Sequence, residues 1–114
     1  MSEALAERKC KPCEGGVDPL DSEQVQEMMA ALHQDWSYDE SRQIITRLFE
    51  FPSYARTMNF VNVIAWVATN EGHHPEMYVT YGSCRVEYQT HAINGLSDND
   101  FICAAKIDRL ATMA

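Results

Sequence analysis

Glu71-Gly72-His73-His74-Pro75 sets two imidazoles side by side, and His91 follows in Tyr88-Gln89-Thr90-His91-Ala92, so three of the chain's four histidines fall in one short stretch. An unperturbed imidazole titrates near pH ~6.5 and can give or take a proton at neutral pH without special tuning. General acid/base chemistry is the first reading. Two others stand beside it: rings that merely cap a preceding helix, and a zinc site. Adjacent histidines chelate poorly compared with two on one helix face, and no cysteine or carboxylate completes a ligand set by spacing.

The elements that must position these rings follow from pattern. Asp21 or Ser22 caps a helix over about 22–34, with Val25, Met28, Met29 and Leu32 at helical spacing. Trp36–Asp39 and Gln43–Phe51 are rich in β-branched and aromatic residues and read as a hairpin turning at Asp39-Glu40-Ser41. Pro52-Ser53 opens a long helix to about Asn70. Its Met58, Val61, Ala65 and Ala68 share one face, which Phe60, Val63, Ile64 and Val67 widen beyond half the circumference. So broad an apolar surface calls for sandwiching between layers or burial against another subunit, and we expect a homo-oligomer.

Met77–Tyr81 and Cys84–Thr90 read as a second hairpin turning at Gly82-Ser83. Ser97 then caps a last helix, with Asp98 and Asp100 in its first turn and Cys103, Ala104, Ile107 and Leu110 as its stripe. The order αββαββα gives an α+β fold, a four-stranded antiparallel sheet with three helices packed on one face. In that topology the second hairpin folds His91 back beside His73 and His74. His91 is in phase with Arg85, Glu87 and Gln89, on the polar side of its strand or at its end. His33, at the end of the first helix, reads as structural.

At 114 residues and 46% hydrophobic composition the chain suits one domain. We place it at 20–114, behind a flexible N-terminal tail over 1–19. The formal charge of -8 and the lack of a basic patch argue against direct binding of nucleic acid or anionic membrane. No apolar run is long enough to cross a bilayer and the first residues carry no secretory pattern, so a soluble cytoplasmic protein is expected. Cys10, Cys13, Cys84 and Cys103 are too dispersed for a disulfide framework. Cys10-Lys11-Pro12-Cys13 has the spacing of half a metal or redox site, but reads first as part of a solvated tail.

Over roughly residues 18–111, the string Glu71-Gly72-His73-His74-Pro75, Tyr78, His91, Gly95-Leu96-Ser97 and Asp100, together with Asp35-Trp36, resembles the signature of the pterin-4a-carbinolamine dehydratases. The family fold agrees with the one read above. The resemblance implies a lyase that eliminates water from 4a-hydroxytetrahydropterin to give quinonoid dihydropterin, recycling the cofactor of aromatic amino acid hydroxylases, phenylalanine hydroxylation among them. No redox cofactor or metal is implied. It also implies a catalytic cluster of His73, His74 and His91, with His73 and His91 as the acid/base pair and His74 chiefly orienting the ring. Gly72, His73, His74, Gln89, Thr90, His91 and Ala92 would bind substrate. Asp100 would orient an imidazole from behind, or simply charge a helix start.

The implied partners are the pterin itself, a homodimer or homotetramer formed through the sheet edge and the central helix, and functional coupling to a hydroxylase. The family's other roles give the alternatives: a pterin-binding protein of molybdenum cofactor metabolism, or a dimerisation cofactor of a transcription factor. One position departs from the pattern. Many members carry an acidic residue four positions before the first paired histidine, where this chain has Thr69, and Glu71 is the nearest replacement.

Overall fold

A computed structural model describes residues 2–12 and 17–112. The elements are α1 (Ser2–Glu7), α2 (Ser22–Met29), β1 (Ser37–Asp39), β2 (Ile44–Glu50), α3 (Tyr54–Glu71), β3 (Glu76–Val79), β4 (Ser83–Tyr88), a single 3-10 turn (His91–Ile93) and α4 (Asp98–Ala111). From α2 onward the order is αββαββα. The strands form one antiparallel sheet in the order β1-β2-β4-β3, so the two hairpins meet along β2 and β4.

The register explains which side of the sheet carries the core. Ile45 lies opposite Tyr88, Arg47 opposite Val86 and Phe49 opposite Cys84, and all of these except Arg47 are buried. Their side chains meet Phe60, Ile64 and Val67 of α3 and Phe101, Ile102 and Ile107 of α4 in one cluster. Each large apolar side chain fully buried there contributes about 1.5–3 kcal/mol. The other sheet face carries Leu48, Tyr78, Arg85 and Glu87, with Leu48 and Tyr78 exposed.

Arg47 sits on the core side because its charge is met there. Its Nη1 donates to Asp108 Oδ1 of α4 (2.6 Å), and its guanidinium lies 4.2 Å from the Phe49 ring centre. Asp108 also accepts from Trp36 Nε1 (2.7 Å) and from the His33 backbone (3.1 Å). This carboxylate pins the segment after α2, which ends at Met29 rather than near residue 34. Ala31 and Leu32 follow in i to i+3 turns. Such turns keep Leu32 on the buried side, which is why its spacing reads as continued helix. His33 therefore lies in a turn, its Nδ1 accepting from the Asp35 N–H at 3.0 Å.

Two further expectations change. Within the segment read as a tail, residues 2–7 form α1, with Leu5 and Ala6 buried against α4. Six residues are too few for helical periodicity to register, and α1 is tied from outside itself, by Lys106 Nζ donating to Ala6 O (2.7 Å) and Arg8 pairing with Asp98 (2.9 Å). Cys10, Lys11 and Pro12 belong to this docked segment, while Cys13 lies outside the described residues. On α3, the stripe facing the core is Thr57, Phe60, Ile64, Val67 and Ala68. Ala65 is exposed, and Trp66 is 64% exposed.

Candidate active site

Helix α3 stops where its sequence lets it. Gly72 takes a left-handed φ of 67° and its N–H returns to Ala68 O, as does the His73 N–H (3.1 Å). A side chain at position 72 would be strained there, so glycine is what permits the abrupt exit. That exit delivers His73 to the N-terminal end of α4. Its Nε2 lies 2.7 Å from Asp100 Oδ1. The Asp100 carboxylate is fully buried, and its Oδ2 accepts from the Thr90 hydroxyl (2.8 Å) and the Ser97 backbone N–H (3.0 Å). Since Thr90 gives its proton to Asp100, the Ser97 hydroxyl must donate to Thr90 Oγ1 (2.7 Å).

Both oxygens of that carboxylate are thus engaged, and the His73 ring is held with Nδ1 as the nitrogen left for a ligand. One face of the ring stacks on Tyr88 (5.8 Å between centres, 10° between planes). Burial pushes the Tyr88 phenol well above its ordinary value, and its hydroxyl has no hydrogen-bond partner among the described residues. Behind His73, the Cys103 thiol points at the His73 carbonyl at 3.9 Å.

The other wall is built differently. β4 ends at Tyr88, so His91 is not part of the strand's alternation; it begins the 3-10 turn. That turn is clasped at its base by Thr90 and Gly95, with Thr90 N donating to Gly95 O (2.9 Å), and Asn94 takes a left-handed φ of 50°. His91 is 62% exposed, with Glu76 Oε2 3.9 Å from its Nε2. His74 is exposed. The Gln89 side chain turns away, donating to the backbone carbonyls of Arg42 (3.0 Å) and Gln43 (3.1 Å) at the first hairpin.

Between the walls lies a cleft of about 260 Å³ lined by Gly72, His73, His74, Gln89, Thr90, His91 and Ala92, with Lys11 and Asn99 closing it. All seven residues to which the resemblance gives a substrate-binding role line this one space. Lys11 and Asn99 carry no sequence signal of such a role, one lying in an apparent tail and the other reading as an ordinary first-turn residue. They are joined to each other, Lys11 N donating to Asn99 Oδ1 (3.0 Å) and Asn99 Nδ2 to Lys11 O (2.7 Å). Tyr88, buried in the core, does not line the cleft but backs the His73 ring; the sequence alone assigns it no such place, although its position on the apolar side of β4, three residues before His91, is a usable signal.

Glu71 does not stand in for the missing carboxylate at Thr69. Its Oε1 accepts from the Cys10 backbone N–H (2.9 Å) and its Oε2 lies 3.6 Å from Lys106 Nζ. Burial pushes the Glu71 carboxyl up, but the Cys10 N–H, Lys106 and Lys9 outweigh it and leave the group below its ordinary range. Asp100 holds the ring instead. Among the described residues no cluster of three or more His, Cys, Asp or Glu side chains is arranged to hold a metal ion.

Residues 18–110 match the family model for pterin 4 alpha carbinolamine dehydratase. The chain belongs to the pterin-4a-carbinolamine dehydratase family. Its relatives include a provisionally named pterin-4-alpha-carbinolamine dehydratase of Nitrosomonas eutropha, 58% identical over 106 residues (93% of this chain, 92% of the relative). One of Legionella pneumophila, also provisionally named, is 48% identical over 110 residues (96% and 97%). The fold matches a crystal structure of a transcriptional coactivator/pterin dehydratase from Brucella melitensis, with a TM-score of 0.77, 30% identity, and coverage of 82% of this chain and 99% of that one. It also matches, as a fold alone, a pterin dehydratase-like RuBisCO assembly factor of the alpha-carboxysome (TM-score 0.60, 22% identity, 69% and 92% coverage). The family match begins at residue 18, so α1 and Cys10 through Pro12 lie outside the part of the chain that the dehydratase-family model covers.

Proposed function

We propose that the protein is a dehydratase that removes water from 4a-hydroxytetrahydropterin to give quinonoid dihydropterin, serving aromatic amino acid hydroxylation. The observation that carries this reading is the fixed chain Ser97–Thr90–Asp100–His73 at the wall of a small cleft shared with His74 and His91. The cleft is smaller than the ~300–1,000 Å³ typical of drug-sized ligand sites, which suits one flat bicyclic ring.

The reaction breaks the C4a–O bond and the N5–H bond and forms a C4a=N5 double bond. One group must protonate the departing hydroxyl and one must accept the N5 proton. His73 suits the second role, because with Nε2–H donated to Asp100 the lone pair resides on Nδ1 and the ring cannot turn away. His91 suits the first, since it exchanges protons freely with solvent and can be recharged each turnover. His74, on the other side of the same backbone corner, orients the ring. General acid/base assistance of this kind contributes ~10²–10⁴ in rate, about 3–5 kcal/mol of barrier.

A hydroxylase-coupled assay that follows loss of the 4a-hydroxytetrahydropterin absorbance tests the proposal. Wild-type protein should accelerate that loss, and His73→Ala should abolish most of the acceleration while leaving the circular dichroism spectrum intact. Full activity in a folded His73→Ala protein would remove His73 from the mechanism, and inactivity of the wild type would remove the reading itself.

Self-association belongs to the same proposal. Trp66 on α3, and Tyr78 and Val79 on the edge strand β3, are 64%, 43% and 41% exposed, apolar side chains that a second copy of the chain would cover. Light scattering should give a mass at least twice 13.0 kDa.

A further inference from the structure

The Sγ atoms of Cys10 and Cys103 lie 3.5 Å apart, although 93 residues separate them in sequence. Neither belongs to the proton-transfer machinery. Cys103 is fully buried in α4, one turn after Asp100, and Cys10 is half-buried within the irregular segment that follows α1. Four contacts hold that segment in place. Cys10 N donates to Glu71 Oε1, Cys10 Sγ lies 3.7 Å from Asn99 O, and the Lys11 backbone is bonded at both its N–H and its carbonyl to the Asn99 amide. Mutual contact with Cys10, followed by burial, pushes the Cys103 thiol well up. Cys103 is closed off from solvent, so the first encounter with an oxidant falls to the half-buried Cys10.

We propose that Cys10 and Cys103 are a modification site, a dithiol that closes to an intrachain disulfide and locks the N-terminal segment onto α4 beneath the cleft. An S–S bond is about 2.05 Å, so the sulfurs must approach by roughly 1.5 Å. The irregular Cys10 backbone can supply that movement while α4 stays put. The oxidant is a small-molecule disulfide. The Cys10 thiolate attacks it, forming a mixed disulfide and releasing one thiolate. Cys103, losing its proton, then attacks the Cys10 sulfur and releases the second thiolate. Two thiols are oxidised, one external disulfide is reduced to two thiols, and the protons follow the leaving groups.

The lock reaches the cleft by two routes. It fixes the segment that carries Lys11, and it removes the thiol hydrogen that Cys103 points at the His73 carbonyl. Cys84 is buried in β4 and takes no part. Cys13, three residues from Cys10, is the competing partner.

The full chain, equilibrated in buffers of reduced and oxidised glutathione, alkylated, digested and mapped by mass spectrometry, tests this. The expected result is a Cys10–Cys103 linked peptide with Cys84 alkylated. The oxidised form should melt higher, with slower amide exchange across residues 8–12 and a shifted His73 ring resonance. Cys10→Ser should abolish all of these, and Cys13→Ser should leave the linkage intact. Because Cys10 lies in an irregular segment, Cys10→Ser keeps the test valid should Cys103→Ala fail to fold. Exclusive Cys10–Cys13 linkage, a stable glutathione adduct on Cys10 with Cys103 free, or no thiol loss in fully oxidising buffer would each overturn the proposal. None of these readouts depends on dehydratase activity.

Discussion

The two walls of the cleft are opposites. On the His73 side, a buried carboxylate, two hydroxyls and an aromatic face hold one imidazole, whose side chain is only 12% exposed. On the His91 side the ring stands 62% exposed on a single turn, with a 3.9 Å approach to Glu76 in place of a hydrogen bond. The acid/base pair proposed above is therefore one whose members are not equally organised. A group that must meet a substrate atom at a fixed angle gains from preorganisation, whereas one that must recharge from water gains from exposure.

Substitutions that act on one wall at a time should separate these properties. The largest effect is expected from Asp100→Asn. The amide can no longer accept from Thr90, Ser97 and His73 together, so activity should fall by about 10²–10⁴, with ~1–3 kcal/mol lost from a buried, partly unsatisfied network. Denaturant melts beside the coupled assay would measure both, and a loss of stability without a loss of rate would break the asymmetry between the walls. His91→Ala should cost about 10² in rate while leaving stability within about 0.5 kcal/mol, as an exposed side chain does. A large fall in melting temperature would show that this wall, too, is structural.

The smallest effect on activity is expected below the cleft, at Glu71, whose carboxyl is held under its ordinary value of 4.5. A lowered carboxylate stabilises the folded state above that value, and the contribution is lost as pH falls through the folded-state pKa. Docking of the N-terminal segment should therefore weaken from about pH 4.5 downward. Glu71→Gln, whose amide oxygen can still accept from the Cys10 N–H, should remove that pH dependence and cost about 1 kcal/mol at neutral pH. A protection factor against amide exchange at Cys10 that stays flat between pH 3 and 7 in the wild type would show that Glu71 does not hold the segment.

Much of this is legible in the chain. Apolar alternation in β2 and β4 and the breadth of α3 carry the sheet and its helices, because burial on one face leaves a period in the sequence. His73, His74 and His91 are legible because unusual residue types mark themselves. What stays hidden is local or long-range. The turns after Met29 imitate helical spacing, and α1 is shorter than two helical turns. Lys11 reaches the cleft only through Asn99, 88 residues away. The Arg47–Asp108 pair and the Cys10–Cys103 approach are likewise products of the assembled fold, with separations of 61 and 93 residues. Asp100 is ambiguous in the sequence between helix start and imidazole partner, and the fold makes it both.

That double service has a consequence for how the protein comes to exist. The carboxylate that satisfies the Ser97 N–H at the head of α4 is the one that aligns His73, so the first turn of the helix and the orientation of the ring are a single cooperative event. Fraying of that turn would free the ring as well, so His73 can be no better ordered than the head of α4. Activity would then report on the nucleation of one helix turn.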